Sequence, residues 1–147
     1  MANIRSLIEE VLNGGHLMSL ATIDESGPWA SDIIYVFDVK LNIYWLSHIK
    51  TRHSQAILKN PQVAGTITLS NRSKEDNIGI QFAGIAEKVE GDILDMAIKH
   101  RLKRGKPAPT KEGEILDPGE SWYRLKPKFI DLIYEPLFGF KKERLNL

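Results

Sequence analysis

Residues 43–63 read Ile43-Tyr44-Trp45-Leu46-Ser47-His48-Ile49-Lys50-Thr51-Arg52-His53-Ser54-Gln55-Ala56-Ile57-Leu58-Lys59-Asn60-Pro61-Gln62-Val63. Ile43 to Ser47 has the aromatic and β-branched character of a strand, and a short helix follows, running to about Lys59. Thr51 is suited to cap that helix, and Asn60-Pro61 stops it, because proline disfavours helical geometry in the residue before it. Lys50, Arg52 and His53 therefore gather at a helix start, where backbone N–H groups lack partners and the helix dipole is positive. A cation is unfavourable there by roughly 0.3–1 kcal/mol. Several together call for an anion, and a phosphate is the natural one. The competing reading is a pair of solvated charges on a turn, with a histidine in the first turn of a surface helix.

Working outward, Ile4, Leu7, Ile8, Val11 and Leu12 form a helical stripe, with Asn3 as its cap and Asn13-Gly14-Gly15 as its end. His16 to Ile23 is expected to be a strand, turning at Asp24-Glu25-Ser26-Gly27-Pro28. Trp29 to Phe37 is expected as one continuous strand, with Trp29, Ser31, Ile33, Tyr35 and Phe37 on one face. Asp38 to Asn42 makes a short hairpin loop. Beyond the quoted stretch, Val63–Leu69 and Ile78–Val89 read as strands around the polar loop 71–77, with Gly84 marking a bulge or a close backbone approach. Asp92 to Arg104 returns to helical spacing. Gly105 to Gly119 holds three of the seven prolines and reads as a long loop. Ser121–Lys126 and Phe129–Tyr134 are expected as two separate strands, and the tail from Leu137 as strand or loop. Six or seven strands with short links and flanking helices imply a mainly β, small antiparallel barrel in a single domain, 1–147.

Composition limits the chemistry. Twenty basic against nineteen acidic side chains leave no broad cationic face for nucleic acid. Without cysteine there is no disulfide, thiolate nucleophile or cysteine-ligated metal, and His16, His48, His53 and His100 lack the spacing of a metal site. His16 and His100 are expected at ordinary surface or strand positions. No apolar run reaches eighteen residues and no apolar leader is evident, so the expectation is a cytoplasmic protein that is not membrane-bound. There is no GxGxxG, GxxxxGK[ST] or GxSxG. Trp29, Trp45 and Trp122 are expected as core or interface anchors, with stacking against a ligand as the alternative for one of them.

The order of these elements resembles the pyridoxamine 5'-phosphate oxidase-like, FMN-binding split barrel. It is most similar to the uncharacterised bacterial YhbP-type (UPF0306) branch. The resembling residues are Trp29-Ala30, Tyr35-x-Phe37-Asp38, Tyr44-x-Leu46-Ser47-x-x-Lys50-Thr51-Arg52-His53-x-Gln55, Val63-Ala64-Gly65-Thr66, Gly79-Ile80-Gln81-Phe82-x-Gly84 and Gly139-Phe140-x-Lys142. Arg52 and His53 precede Asn60-Pro61-Gln62-Val63 by the family's seven or eight residues. The resemblance implies a homodimer with FMN at its interface and a flavin-dependent oxidoreductase acting on an unknown small molecule. It places the flavin phosphate against Ser47, Lys50, Thr51 and Arg52. His53 stands where many relatives carry lysine, which makes phosphate affinity weaker or pH-dependent. Gln81 would approach the isoalloxazine ring from the partner subunit, or else lie on the wet face of its strand. The same resemblance leaves open a deazaflavin- or haem-binding relative, or a non-catalytic flavin- or nucleotide-binding module. The 105–119 loop is a candidate for shaping the substrate entrance.

Overall fold

The computed structural model describes residues 3–90, 93–111 and 116–147. In chain order the elements are α1 (Ile4–Gly14), β1 (Leu17–Asp24), β2 (Gly27–Ile34), β3 (Val36–Phe37), β4 (Ile43–His48), α2 (Arg52–Lys59), β5 (Gln62–Thr68), β6 (Ile78–Val89), α3 (Leu94–Lys103), β7 (Glu120–Tyr134), α4 (Glu135–Phe138) and β8 (Glu143–Asn146). All strand pairs are antiparallel, and the sheet runs β2-β1-β5-β6-β7-β4-β3, with β8 added to β7. The protein is mainly β with flanking helices, as the sequence implies.

The expected single strand over 29–37 is divided. β2 pairs with β1, β3 pairs with β4, and Tyr35 alone separates them. The two ends of the sheet path are thus halves of one bent strand, and the bend curls the sheet into a barrel. Tyr35 sits fully buried at this corner, its hydroxyl donating to Leu12 O at 2.7 Å. That bond ties the bend to the end of α1. Trp29 shares the parity of buried Ile33 but lies past the end of the core and is 44% exposed.

The two strands expected over 121–134 are one. Pro127 lacks an N–H and would normally interrupt a ladder, but here it lies in a bulge. Gly84 pairs with Pro127 and Ala83 with Phe129, so Lys128 is the extra residue. A Cβ on Gly84 would overlap Lys126 O. The glycine expected to mark a bulge marks this one, and it carries β7 past its proline.

The core is filled by inward residues of alternating strands, including Leu20, Ile80, Leu125, Ile130 and Leu132, with Ile8, Val11 and Leu12 of α1 closing over them. Trp45 and Tyr123, cross-strand neighbours on β4 and β7, stack with ring centroids 5.8 Å apart. A smaller cluster of Val36, Tyr44, Met96, Ala97 and Trp122 seats α3. His100 is neither on a strand nor on the surface. It is buried on α3 with its ring edge-on to Trp122, and desolvation together with neighbouring cations pulls its pKa down to about 4. The tail forms the short α4 and then strand β8.

Candidate functional site

The strand-to-helix passage in residues 43–63 is built by local hydrogen bonds. Beyond β4, Lys50 N donates to His48 Nδ1 at 3.1 Å and Thr51 N to His48 O at 3.2 Å. Gly119 holds a left-handed φ of 86°, where a side chain would strike the His48 ring, and its carbonyl accepts from Ile49 N at 2.8 Å. Thr51 takes extended backbone geometry and caps α2, accepting from Ser54 N at 3.3 Å. Its carbonyl accepts from Gln55 N. Among the described residues, the Arg52 and His53 N–H groups of this first turn have no protein acceptor.

Ser47, Thr51 and His53 converge. His53 Nε2 lies 2.9 Å from Ser47 Oγ and 3.2 Å from Thr51 Oγ1. Burial lowers the pKa of His53, so the ring is neutral at physiological pH. Lys50 stands exposed at the mouth of the turn. The result is a small cluster of hydroxyl, imidazole and backbone N–H groups beside the exposed Lys50 ammonium.

Arg52 is committed elsewhere. Its Nε and Nη2 meet the two Asp24 carboxylate oxygens at 2.7 and 3.0 Å, and its guanidinium lies 4.3 Å from the centroid of the Trp29 ring. The pairing lowers the pKa of Asp24 and raises that of Arg52. The anion that the basic helix start calls for is therefore supplied, in part, by Asp24 at the end of β1. Sequence reasoning missed Asp24 because it lies twenty-eight residues upstream, with no periodic link to Arg52. Of the three basic side chains expected at the site, Lys50 has no partner among the described residues, Arg52 is paired and His53 is neutral.

Gln81 is not brought to this cluster. It lies on the outward face of β6, in register with Thr66 and, through it, Ser19. Ser19 is five residues along β1 from Asp24, and β1 lies two strands away, which puts Gln81 about 16 Å along and about 10 Å across from the Arg52–Asp24 pair. Its Oε1 accepts from Lys142 Nζ at 2.8 Å, beside the Asp131–Arg144 pair. The adjacent row of the same face, Ala30–Ala21–Ala64–Ala83–Phe129, runs across five strands in register. Ala21, Ala64, Ala83 and Phe129 of this row, with Ile23 and Pro28, line a hollow of about 520 Å³, and Thr22 Oγ1 is buried at its wall with no partner among the described residues. This apolar face was also missed. Its only sequence signal is small residues at alternate, outward strand positions.

Among the described residues no group of three or more potential metal ligands occurs, and no helix is long and apolar enough to cross a membrane.

Residues 4–133 match the family model described as pyridoxamine 5'-phosphate oxidase. The chain belongs to that family. Within it the chain falls in the UPF0306 branch: it is 32% identical to a UPF0306 protein of Yersinia pseudotuberculosis over 102 residues, 69% of each chain. Solved structures share the split-barrel fold at lower identity. General Stress Protein 26 from Bacillus anthracis superposes with a TM-score of 0.72 at 19% identity, covering 99% of this chain and 100% of that one. The haem storage protein HutZ from Vibrio cholerae gives 0.66 at 19% identity, over 99% and 95%. An F420 reductase gives 0.63 at 16% identity, over 83% of this chain and 94% of that one. Members of the pyridoxamine 5'-phosphate oxidase family and their fold neighbours thus span several ligand chemistries on one barrel.

Proposed function

We propose that this protein binds FMN as a homodimer and acts as a flavin-dependent oxidoreductase on a small molecule. The observation that carries this reading is the convergence of Ser47, Thr51 and His53 at the uncapped N–H groups of α2, in a chain of the pyridoxamine 5'-phosphate oxidase family. Two backbone N–H groups, the Lys50 ammonium and the one hydrogen that the Ser47–His53 pair has left to offer form a donor set that fits a phosphate dianion, while the Thr51 hydroxyl spends its own hydrogen on His48 O at 3.0 Å or Ser54 Oγ at 2.7 Å. Arg52 adds Nη1, the terminal nitrogen that its pairing with Asp24 leaves uncommitted. The flavin, when bound, supplies the electron transfer. The chain's own residues hold the phosphate, and Trp29 with Arg52 forms a flat wall beside it.

The outward apolar face supports the dimer. A row of alanines ending in Phe129 is a flat surface of small side chains that a second copy covers by twofold symmetry. Gln81 lies on this face, next to the row, where a residue offered to the partner's ligand belongs. The lack of cysteine is compatible with the cytoplasmic setting we infer.

The test is to purify the protein, denature it, and identify the released chromophore by absorbance and mass. FMN is the expected result. A Soret band with released haem, or a deazaflavin, would replace the cofactor assignment. Lys50→Ala combined with Arg52→Ala should abolish FMN retention while the circular dichroism spectrum stays native.

A further inference from the structure

A second cavity, of about 400 Å³, lies between the end of α1, the β2–β3 bend and α3, with no connection in its lining to the residues proposed for FMN. Its walls are largely apolar, with Leu12, Val36, Phe37 and Leu102 contributing. Lys99 and Lys103, four residues apart and so on one face of α3, complete it. Lys103 Nζ donates to Tyr35 O at 2.7 Å and sits 3.5 Å from the centroid of the Tyr35 ring. Lys99 Nζ donates to Phe37 O at 3.0 Å nearer the surface. Desolvation brings the Lys103 ammonium down to about 8, against 10.5 for an ordinary lysine, with no compensating carboxylate among the described residues. A desolvated lysine with further cations on its own helix is the setting in which an amine becomes a nucleophile at physiological pH. Donation of one N–H to the Tyr35 carbonyl orients that amine and leaves its lone pair unused.

We propose that Lys103 is a carbonyl-reactive lysine, forming an imine with an aldehyde or α-keto compound whose apolar or aromatic body fills this cavity and whose anionic substituent is held by Lys99. The Nζ lone pair attacks the carbonyl carbon and a C–N bond forms. The carbonyl oxygen takes up two protons, both from Nζ in net terms, and leaves as water, so the C=N bond replaces C=O without any change in oxidation state. No oxidant or reductant is needed for this step.

The experiment uses the full chain with 4-carboxybenzaldehyde at mildly alkaline pH, trapping the imine with cyanoborohydride and mapping modified lysines by peptide mass. Lys103 should be labelled about tenfold or more faster than the other lysines, which act as internal controls. Lys103→Arg keeps a cation and a donor for Tyr35 and should lose the fast site alone. Lys99→Met should slow capture of the carboxylated aldehyde but not of benzaldehyde. Equal labelling of Lys103 and exposed Lys50 would overturn the proposal, as would fast labelling that persists in Lys103→Arg. If Lys99→Met slows neither aldehyde, the anion-holding role of Lys99 falls.

Discussion

Arg52 faces Asp24 through Nε and Nη2 and covers Trp29 with its plane, so its position is set before any ligand arrives. A phosphate reaching this turn meets a guanidinium whose charge is already half answered. The nearby carboxylate opposes the incoming dianion by about 1 kcal/mol or more. Asp24→Asn should therefore tighten FMN binding about fivefold, read by quenching of flavin fluorescence on titration; weaker binding would mean that Asp24 chiefly orients Arg52. His53 differs. Its ring is neutral because it is half-buried, so it can contribute a hydrogen bond to a phosphate but little charge. These two residues show how far a motif can be read without its fold. Lys50-Thr51-Arg52-His53 signals a capped helix start and an anion, and the cap is where the sequence puts it. The identity of Arg52's partner and the charge state of His53 depend on burial and on a distant strand, and neither leaves a mark on the local sequence.

At the level of elements, β7 departs most from its sequence pattern. Pro127 divides the pattern into two runs, yet the strand continues because Gly84 on β6 accepts a bulge opposite it. Gly84→Ala places a methyl group against Lys126 O and should cost about 3 kcal/mol. The check is a lowered midpoint in urea with an unchanged slope. Thr51→Ala removes the α2 cap and should cost about 1 kcal/mol, with loss of affinity for the phosphate ligand as well. The bulge glycine was legible because glycine within a strand has few other uses. The division of β2 from β3 was not, since alternation continues through Tyr35 and only closure of the barrel reveals the corner.

For the whole molecule, buried His100 and half-buried His53 set the acid limb of stability. The pKa of His100 in the fold, about 4, lies below its ordinary 6.5, so the unfolded chain binds the extra proton first. Stability is fully present above pH 6.5 and falls as pH drops toward 4, by up to about 3 kcal/mol from this group. His53 acts in the same direction. Asp24, Asp38, Glu87 and Asp131, whose pKa values are lowered, lose their contributions only as pH falls through the carboxylate range below that. His100→Phe keeps an aromatic ring against Trp122 and should flatten the melting temperature between pH 6.5 and 4.5. The outward alanine row has its own test. Ala64→Glu places charge in the centre of that face and should give a monomer in sedimentation, with loss of bound FMN.

The fifteen residues of β7 also fix a sequence of events. β4 finds only the two-residue β3 beside it until residues 120–125 arrive to pair along its length. β6, complete by residue 89, has one edge on β5 and the other open until the same strand appears. A chain emerging from the ribosome therefore holds two unsatisfied strand edges until residues 120–134 are made, and one strand then seals both. Such a topology folds late and through long-range pairing. The growing chain is exposed to aggregation until the strand that carries Pro127 and its bulge is delivered.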